Sequence, residues 1–241
     1  MKIIEHELAE LKKNIGEMWD LVYKQISRAS EALLTNNKDL AHEVLAMERR
    51  VNAYELKIDS DCEDVIALYA PVAVDLRFVL AVLKVNTNLE RLGDFAEGIA
   101  RFVVRHSDHG DVEQEMIEKT RLREMIGTVL EMFELTKQAM EQENTDLATK
   151  VFSKDNIVDE INISSIEILN NYIQKDPSLG LTALYLVGVI RKLERFGDHC
   201  TNIAEEIIFY VDAKVLKHKG KKYNSPDLVE EKPQEEGAKQ A

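Results

Sequence analysis

The sequence of this chain repeats itself, and the repeat limits how the chain can be organised. The motif Asn-Leu-Glu-Arg-Leu-Gly-Asp at 88–94 returns as Lys-Leu-Glu-Arg-Phe-Gly-Asp at 192–198. Upstream of each copy, Asp-Leu-Ala occurs at 39–41 and again at 146–148. A repeat of roughly 105 residues implies two similar units that bury their apolar faces together.

Apolar residues recur at helical spacing in both halves, and no segment alternates convincingly between apolar and polar residues as a strand does. Four Pro and ten Gly are few for 241 residues, so long helices are favoured. Asp39 and Asp146 are each predicted to cap a helix, and Pro71 and Pro177 each to follow the end of one. Six helices are predicted, three in each half, over 5–35, 39–68, 72–104, 113–141, 146–174 and 178–211.

Polar residues between the halves indicate a domain boundary. Residues 105–112 are predicted to form a linker in which His106 and His109 are solvated; metal ligation by these histidines is the alternative. Toward the C-terminus, Pro, Gly and paired Glu residues replace the apolar pattern, which is typical of disorder. The predicted domains are two three-helix bundles and a charged tail, at 1–108, 109–212 and 213–241.

The balance of charge and the cysteine count exclude several classes of protein. A net charge of −13 argues against a nucleic-acid binder, which needs a basic surface. Cys62 and Cys200 form no CxxC pair and no disulfide framework, which fits a reducing cytosol. The charged N-terminus predicts no signal peptide, and no run of about 18 uncharged apolar residues predicts a membrane span. A soluble protein, still able to dock at a membrane, is therefore expected.

A basic stretch follows the last predicted helix. Five lysines lie within 214–222, shortly after the aromatic pair Phe209 and Tyr210. Anionic lipid headgroups would attract such a stretch by about 1 kcal/mol per basic residue near the membrane surface. Peripheral membrane contact is thus one interpretation, and a solvated tail is the other.

Each copy of the repeated motif places two carboxylates on one face of a helix. Residues i and i+4 share a face, so Glu90 lies over Asp94, and the face extends to Glu97. Stacked carboxylates repel by roughly 0.2–0.5 kcal/mol at a surface, and Gly93 costs about 1 kcal/mol relative to Ala. A bound cation would turn the repulsion into attraction; a solvated face, or pairing with Arg91, is the alternative. The second copy repeats the arrangement with Glu194, Arg195, Gly197 and Asp198, and its face extends to Thr201 and Glu205.

A second spaced pair lies on the helix before each motif. Glu48 and Asn52 are four residues apart, as are Asp155 and Asp159. If that helix packs antiparallel to the motif helix, each half holds an oxygen-rich groove with at least three carboxylates. Such a groove suits one cation, or several bridged cations.

Catalytic patterns are absent from the sequence. No His lies three residues after a Glu, so a ferritin-like di-iron site is disfavoured. His199 directly follows Asp198 and points about 100° away from the acidic face, and Cys200 is expected to pack rather than to ligate. GxSxG, P-loop, GxGxxG and HExxH patterns do not occur, so no enzyme is predicted.

These residues resemble the PhoU family of phosphate-signalling regulators over about residues 5–212. The resemblance rests on the two repeated motifs, on Thr-Asn-Ile-Ala-Glu at 201–205 and on Pro-Val-Ala-Val-Asp-Leu-Arg at 71–77. Two E(D)xxxD patterns at this separation are a specific signal. The chain departs from the family pattern at Tyr69-Ala70, where a polar pair is usual, and at Glu48, where Asp is usual.

The resemblance implies a fold, a cofactor and partners. The fold is all-α, with two repeated three-helix bundles related by a pseudo-twofold axis. Family members restrain phosphate-starvation signalling through a phosphate ABC transporter and a sensor histidine kinase, commonly as homodimers, in the cytoplasm at the inner membrane. Their E(D)xxxD motifs bind metal ions such as iron, zinc or magnesium. The corresponding metal ligands here are Glu90, Asp94, Glu194 and Asp198, with Glu48, Asp155 and Asp159 as secondary candidates.

The predicted function is therefore regulation of phosphate homeostasis by docking on a transporter and a kinase, with a carboxylate metal site in each half. Two alternatives stay open. One is a metal-free helical interaction module whose carboxylates pair with Arg and Lys. The other is a metal-dependent phosphohydrolase, which the lack of His and Lys groups for acid–base chemistry disfavours.

Overall fold

Long helices build the chain, as its apolar periodicity predicts. The structure is a computed structural model that describes residues 3–106, 112 and 114–214. Within these ranges the chain forms seven α-helices and no strand, and none of the helices has the length and apolar content of a membrane span. The helices are α1 (Ile3–Thr35), α2 (Lys38–Tyr69), α3 (Ala73–His106), α4 (Gln114–Lys119), α5 (Leu122–Gln142), α6 (Thr145–Lys175) and α7 (Gly180–Asp212), with a 3-10 turn at Pro177–Leu179.

Asparagines, rather than the predicted aspartates, cap the second helix of each half. The Asn37 side-chain oxygen accepts a hydrogen bond from the backbone N–H three residues on, at 3.0 Å. At the start of α6, Asn144 accepts hydrogen bonds from the backbone N–H groups of Asp146 at 2.9 Å and Leu147 at 3.2 Å. The prediction of Asp39 and Asp146 as caps was wrong by two residues. Both aspartates lie in the first helical turn, where their charge complements the helix dipole.

The fourth predicted helix, over 113–141, is divided in two, and this prediction was wrong. The chain turns at Thr120 and Arg121, where Arg121 has a left-handed backbone with φ 55°. The buried Thr120 hydroxyl donates to two carbonyl oxygens of α4, the nearer at 2.7 Å. The Arg121 guanidinium donates to Glu124 at 2.8 Å and to Glu160 at 2.7 Å. These side-chain bonds stabilise an interruption that apolar periodicity does not reveal.

Each half packs its long helices around an apolar core. Helices α1, α2 and α3 pack on one another, and α5, α6 and α7 do the same. Helix α3 lies antiparallel to α7, since Arg77 contacts Tyr210 at one end and Phe102 contacts Tyr185 at the other. Helix α1 also contacts α5, so one continuous core joins the halves. The predicted architecture of two repeated three-helix bundles is confirmed.

His106, predicted to be solvated in the linker, is the last residue of α3 and is buried. Its ring lies 5.3 Å from the ring of Phe102 and 5.2 Å from that of Tyr185. Packing between aromatic rings removes the imidazole from water, so this prediction was wrong. Three further predictions fall outside the described residues: His109, the boundary between 108 and 109, and the chain beyond Lys214.

Candidate metal centre in two acidic grooves

The first groove lies beside Gly93, where α2 packs on α3. A Cβ atom on Gly93 would lie 3.2 Å from Gln25 Oε1 and 3.6 Å from Glu48 Oε2, so the glycine lets both side chains reach the α3 backbone. Gln25 Nε2 donates to Glu48 Oε2 at 3.0 Å. Gln25 is fully buried, and its Oε1 has no hydrogen-bond partner among the described residues. Helix α1 thus adds a buried amide to a groove predicted from α2 and α3 alone.

Five carboxylates interact electrostatically in this groove. Burial raises the pKa of Glu90, and the negative charges of Asp94, Glu55 and Glu48 raise it further. Burial also raises the pKa of Glu48, and the negative charges of Glu97 and Asp94 raise it further, whereas the hydrogen bond from Gln25 lowers it. Glu48 and Glu90 thus lie in a setting that disfavours their charged forms, and the negative charge of Asp94 acts on both of them.

Glu55 is the acidic residue that sequence reasoning missed. It lies two helical turns after Glu48 on α2, and this spacing of seven residues places it on the same face. Burial, followed by the charge of Asp59, raises the pKa of Glu55. Asn52, which was expected to face the motif, is exposed. The seven-residue spacing was the signal that could have identified Glu55.

Two arginines compensate part of the negative charge. Arg91 Nη1 lies 3.4 Å from Asp94 Oδ2, and Arg91 Nε lies 3.5 Å from Glu90 Oε2. Arg101 Nη2 donates to Glu97 Oε1 at 2.7 Å. In the part of the chain that the structure describes, no three His, Cys, Asp or Glu side chains converge closely enough to hold a metal ion. The carboxylates of this groove are thus partly paired with arginines.

The second groove, between α6 and α7, repeats the backbone arrangement with different side chains. A Cβ atom on Gly197 would lie 3.1 Å from Asp155 Oδ1 and 3.5 Å from Met132 Cε. Asp155 therefore takes the position of Glu48, and Met132 that of Gln25. The two grooves share their close glycine contact, but the first has a buried amide where the second has a thioether.

The remaining predicted ligands of the second half differ in exposure. Glu194 and Asp159 are partly buried, whereas Asp198 is exposed. Burial raises the pKa of the Cys200 thiol, and the charge of Asp155 raises it further. Cys200 is fully buried, in agreement with its predicted packing role, and its raised pKa disfavours the thiolate that a metal would need.

The two motifs pass each other where α3 packs on α7. His199 Nδ1 and Asn88 Oδ1 are 2.7 Å apart, so the imidazole N–H donates across the contact. The centres of the Phe95 and His199 rings are 5.4 Å apart. The Arg195 guanidinium lies over the Phe95 ring, 5.4 Å from its centre. Burial lowers the pKa of His199, and the charges of Arg195 and Arg91 lower it further. His199 thus serves the contact between the halves and points away from the acidic face, as predicted.

A model of the PhoU domain matches this chain twice, over residues 15–103 and 122–207. The chain belongs to the PhoU family. Each match lies within one of the two bundles, and the family resemblance stated from the repeated motifs is confirmed.

Similar proteins support this PhoU membership. The chain is 31% identical over 214 residues to the phosphate-specific transport system accessory protein PhoU homolog of Pseudomonas aeruginosa, a match that covers 89% of this chain and 87% of that protein. It is 31% identical over 218 residues to PhoU of Escherichia coli, with 89% and 87% covered. The crystal structure of PhoU from Pseudomonas aeruginosa has a TM-score of 0.83 at 30% identity and covers 87% of this chain and 99% of that chain.

Proposed function

We propose that this PhoU-family chain is a non-catalytic regulator of phosphate transport that restrains the phosphate-starvation response. The observation that carries the proposal is the match, along almost the whole chain, to relatives named as accessory proteins of the phosphate-specific transport system. The proposed partners are a phosphate ABC transporter and its sensor histidine kinase. The chain would act as a homodimer in the cytoplasm, at the inner membrane.

The acidic grooves are the proposed metal sites of this regulator. Their carboxylates and the Gln25 amide oxygen are hard ligands that suit magnesium or iron, whereas zinc more often takes nitrogen or sulfur. The raised pKa values of Glu48, Glu55 and Glu90 support the proposal, because a cation would relieve the repulsion that contributes to them. A bound ion would tie α2 to α3 through Glu48, Glu90 and Asp94, and α6 to α7 through Asp155, Asp159, Glu194 and Asp198.

A second candidate is a metal-free interaction module built on the same bundles. The observation that favours it is the pairing of Arg91 with Glu90 and Asp94, and of Arg101 with Glu97. Both arginines lie on α3 itself, so they neutralise the groove without joining it to another helix. A metal ion in the first groove would compete with Arg91 for Glu90 and Asp94.

Exposed apolar side chains support a docking role under either candidate. At the turn between α2 and α3, the side chains of Leu68 and Val72 are 71% and 73% exposed. In the second half, Leu184 in the first turns of α7 is 67% exposed. Clustered exposed apolar residues mark interaction surfaces more often than isolated ones do. Because α3 and α7 are antiparallel, these residues lie at opposite ends of the molecule.

Metal content distinguishes the two candidates. Untagged protein is incubated with iron, zinc or magnesium, desalted and measured by elemental analysis, and its thermal unfolding is compared with and without EDTA. The variant Glu90→Gln/Asp94→Asn/Glu194→Gln/Asp198→Asn is compared with Glu63→Gln/Asp64→Asn/Glu134→Gln/Glu167→Gln, which removes the same charge from exposed positions. Stoichiometric metal lost only in the first variant supports the sites; no metal in the wild-type chain supports the metal-free module.

The regulatory role is tested in cells. A bacterial strain without its own PhoU, carrying a reporter of phosphate starvation, is complemented with this chain. The wild-type chain is expected to silence the reporter in high phosphate, and Leu68→Ser/Val72→Ser is expected to lose this effect while folding normally. A reporter that stays active with the wild-type chain, although the protein accumulates, would contradict the proposed function.

A further inference from the structure

Gln25 is an amide side chain in the interior of the first bundle. It lies on α1 and is fully buried beside Gly93 of α3, where a Cβ atom would lie 3.2 Å from Gln25 Oε1. This Oε1 has no hydrogen-bond partner among the described residues. Burying an amide whose hydrogen bonds are incomplete costs free energy. Packing alone therefore does not account for a glutamine at this position.

The second bundle provides an internal comparison. Met132 of α5 holds the equivalent position, with its Cε 3.5 Å from a Cβ atom on Gly197. Met132 is also fully buried. A thioether fills a similar space without burying an amide. Because a methionine serves for packing beside the second glycine, the amide of Gln25 points to a further role.

The hydrogen-bond partner of Gln25 indicates what that role is. Gln25 Nε2 donates to Glu48 Oε2 at 3.0 Å, and this oxygen would lie 3.6 Å from a Cβ atom on Gly93. An ionised carboxylate has about four lone-pair sites, so Glu48 can accept this bond and still ligate a cation. Met132 has no N–H group, so it cannot donate to Asp155 in the second groove.

Hydrogen bonds to metal-ligating carboxylates fix the orientation of the ligand, and their loss typically lowers metal affinity by about 10–100-fold. We propose that Gln25 positions Glu48 for a cation in the first groove, and that the second groove binds its cation without such help. The inference rests on the proposed metal sites. It makes the two grooves unequal although their acidic motifs repeat.

Mn²⁺ is a suitable probe, because it prefers carboxylate and carbonyl oxygen ligands. Binding is followed through the loss of the electron paramagnetic resonance signal of the hydrated ion. Full-length protein is titrated in two backgrounds, each of which leaves one groove intact. Glu194→Gln/Asp198→Asn retains the first groove, and Glu90→Gln/Asp94→Asn retains the second.

Gln25→Met gives the first groove the side chain found in the second. It is expected to weaken Mn²⁺ binding in the first groove by about 10–100-fold and to leave the second groove unchanged. The matched control is Gln138→Met on α5, which removes another amide that donates to a carboxylate, Glu134, at 3.3 Å. This control is expected to change neither groove. Thermal unfolding in EDTA is compared for both variants, and both are expected to unfold near the wild-type temperature.

Two further measurements separate positioning from direct ligation and from structural damage. In a Glu48→Ala background, Gln25→Met is expected to have a smaller effect, because the part that acts through Glu48 is gone. Any loss that remains measures the amide oxygen as a direct ligand. Met132→Gln introduces the amide into the second groove and is expected to strengthen Mn²⁺ binding there by about tenfold. Structural damage cannot produce such a gain.

Several outcomes would overturn the proposal. An unchanged affinity of the first groove in Gln25→Met would do so, as would an equal loss in both grooves. A loss of the same size with and without Glu48 would show that Gln25 does not act through this carboxylate. An unchanged second groove in Met132→Gln would contradict the role of the amide. If the wild-type chain binds no Mn²⁺ at all, the proposed metal sites fail, and this inference fails with them.

Discussion

Replacing Gly93 with Ala tests whether the first groove depends on close packing at this glycine. At an open helical position this change stabilises a protein by about 1 kcal/mol. Gly93 is not open, because a Cβ atom would lie 3.2 Å from both Gln25 Oε1 and Val51 Cγ1. Ordinary contacts are about 3.5–4.0 Å, and overpacking costs about 1–3 kcal/mol. We therefore expect Gly93→Ala to lower the free energy of unfolding by about 1 kcal/mol, the larger overpacking cost less the helix gain.

The matched control is Gly127→Ala on α5, where a Cβ atom would meet no atom within 4 Å. This variant is expected to gain the full helix contribution and to unfold about 2–4 °C higher than the wild type. Thermal unfolding, followed by circular dichroism in EDTA, compares the two directly. The expected result is a shift of opposite sign. If Gly93→Ala raises the midpoint as much as Gly127→Ala does, the reasoning about close approach at Gly93 is wrong.

Three further predictions concern buried polar groups. Burial raises the pKa of Glu90, so the wild type loses stability as pH rises from about 4.5 through the pKa of the folded state. In urea unfolding, Glu90→Gln should therefore gain stability relative to the wild type as pH rises above about 4.5, and a difference that stays constant with pH would contradict this. Burial raises the pKa of Cys62 to about 12, so a thiol reagent should modify Cys62 only after the protein unfolds. Rapid labelling of Cys62 in the native protein would show that burial does not protect this thiol. Lys84 Nζ lies 2.7 Å from Glu206, whose side chain is 10% exposed, so Lys84→Met should lower the free energy of unfolding by about 1–3 kcal/mol. An equal loss for Lys57→Met, which breaks a more exposed pair with Asp61, would refute the role of burial.

Much of the fold follows from local sequence patterns. The helices of each half extend over many turns, so their apolar periodicity is unambiguous, and α2 and α6 end just before Pro71 and Pro177 as predicted. The break at Arg121 depends on ion pairs with Glu124 and Glu160, and the second of these is remote in sequence. The burial of His106 likewise depends on a residue of α7. The apolar periodicity of a helix does not report contacts with distant residues, so the predictions of an unbroken helix over 113–141 and of a solvated His106 both failed.

The candidate site was predictable to the extent that it lies along single helices. The i, i+4 spacing identifies Glu90 and Asp94, and the helix before them supplies Glu48. Gln25 was not predictable, because its approach to Gly93 is a tertiary contact between α1 and α3. Binding of a metal by these residues stays a prediction that the proposed elemental analysis tests.

The antiparallel contact between α3 and α7 also has a mechanical consequence. The repeated motifs lie near the middle of these two helices, where His199 meets Asn88. At 1.5 Å per residue, each helix extends about 20–30 Å on either side of that point. The two helices also contact each other at both ends, through Arg77 with Tyr210 and through Phe102 with Tyr185. Because the pair is joined at its centre and at both ends, it is expected to move as one stiff body, about 50 Å long, that belongs to both halves of the chain.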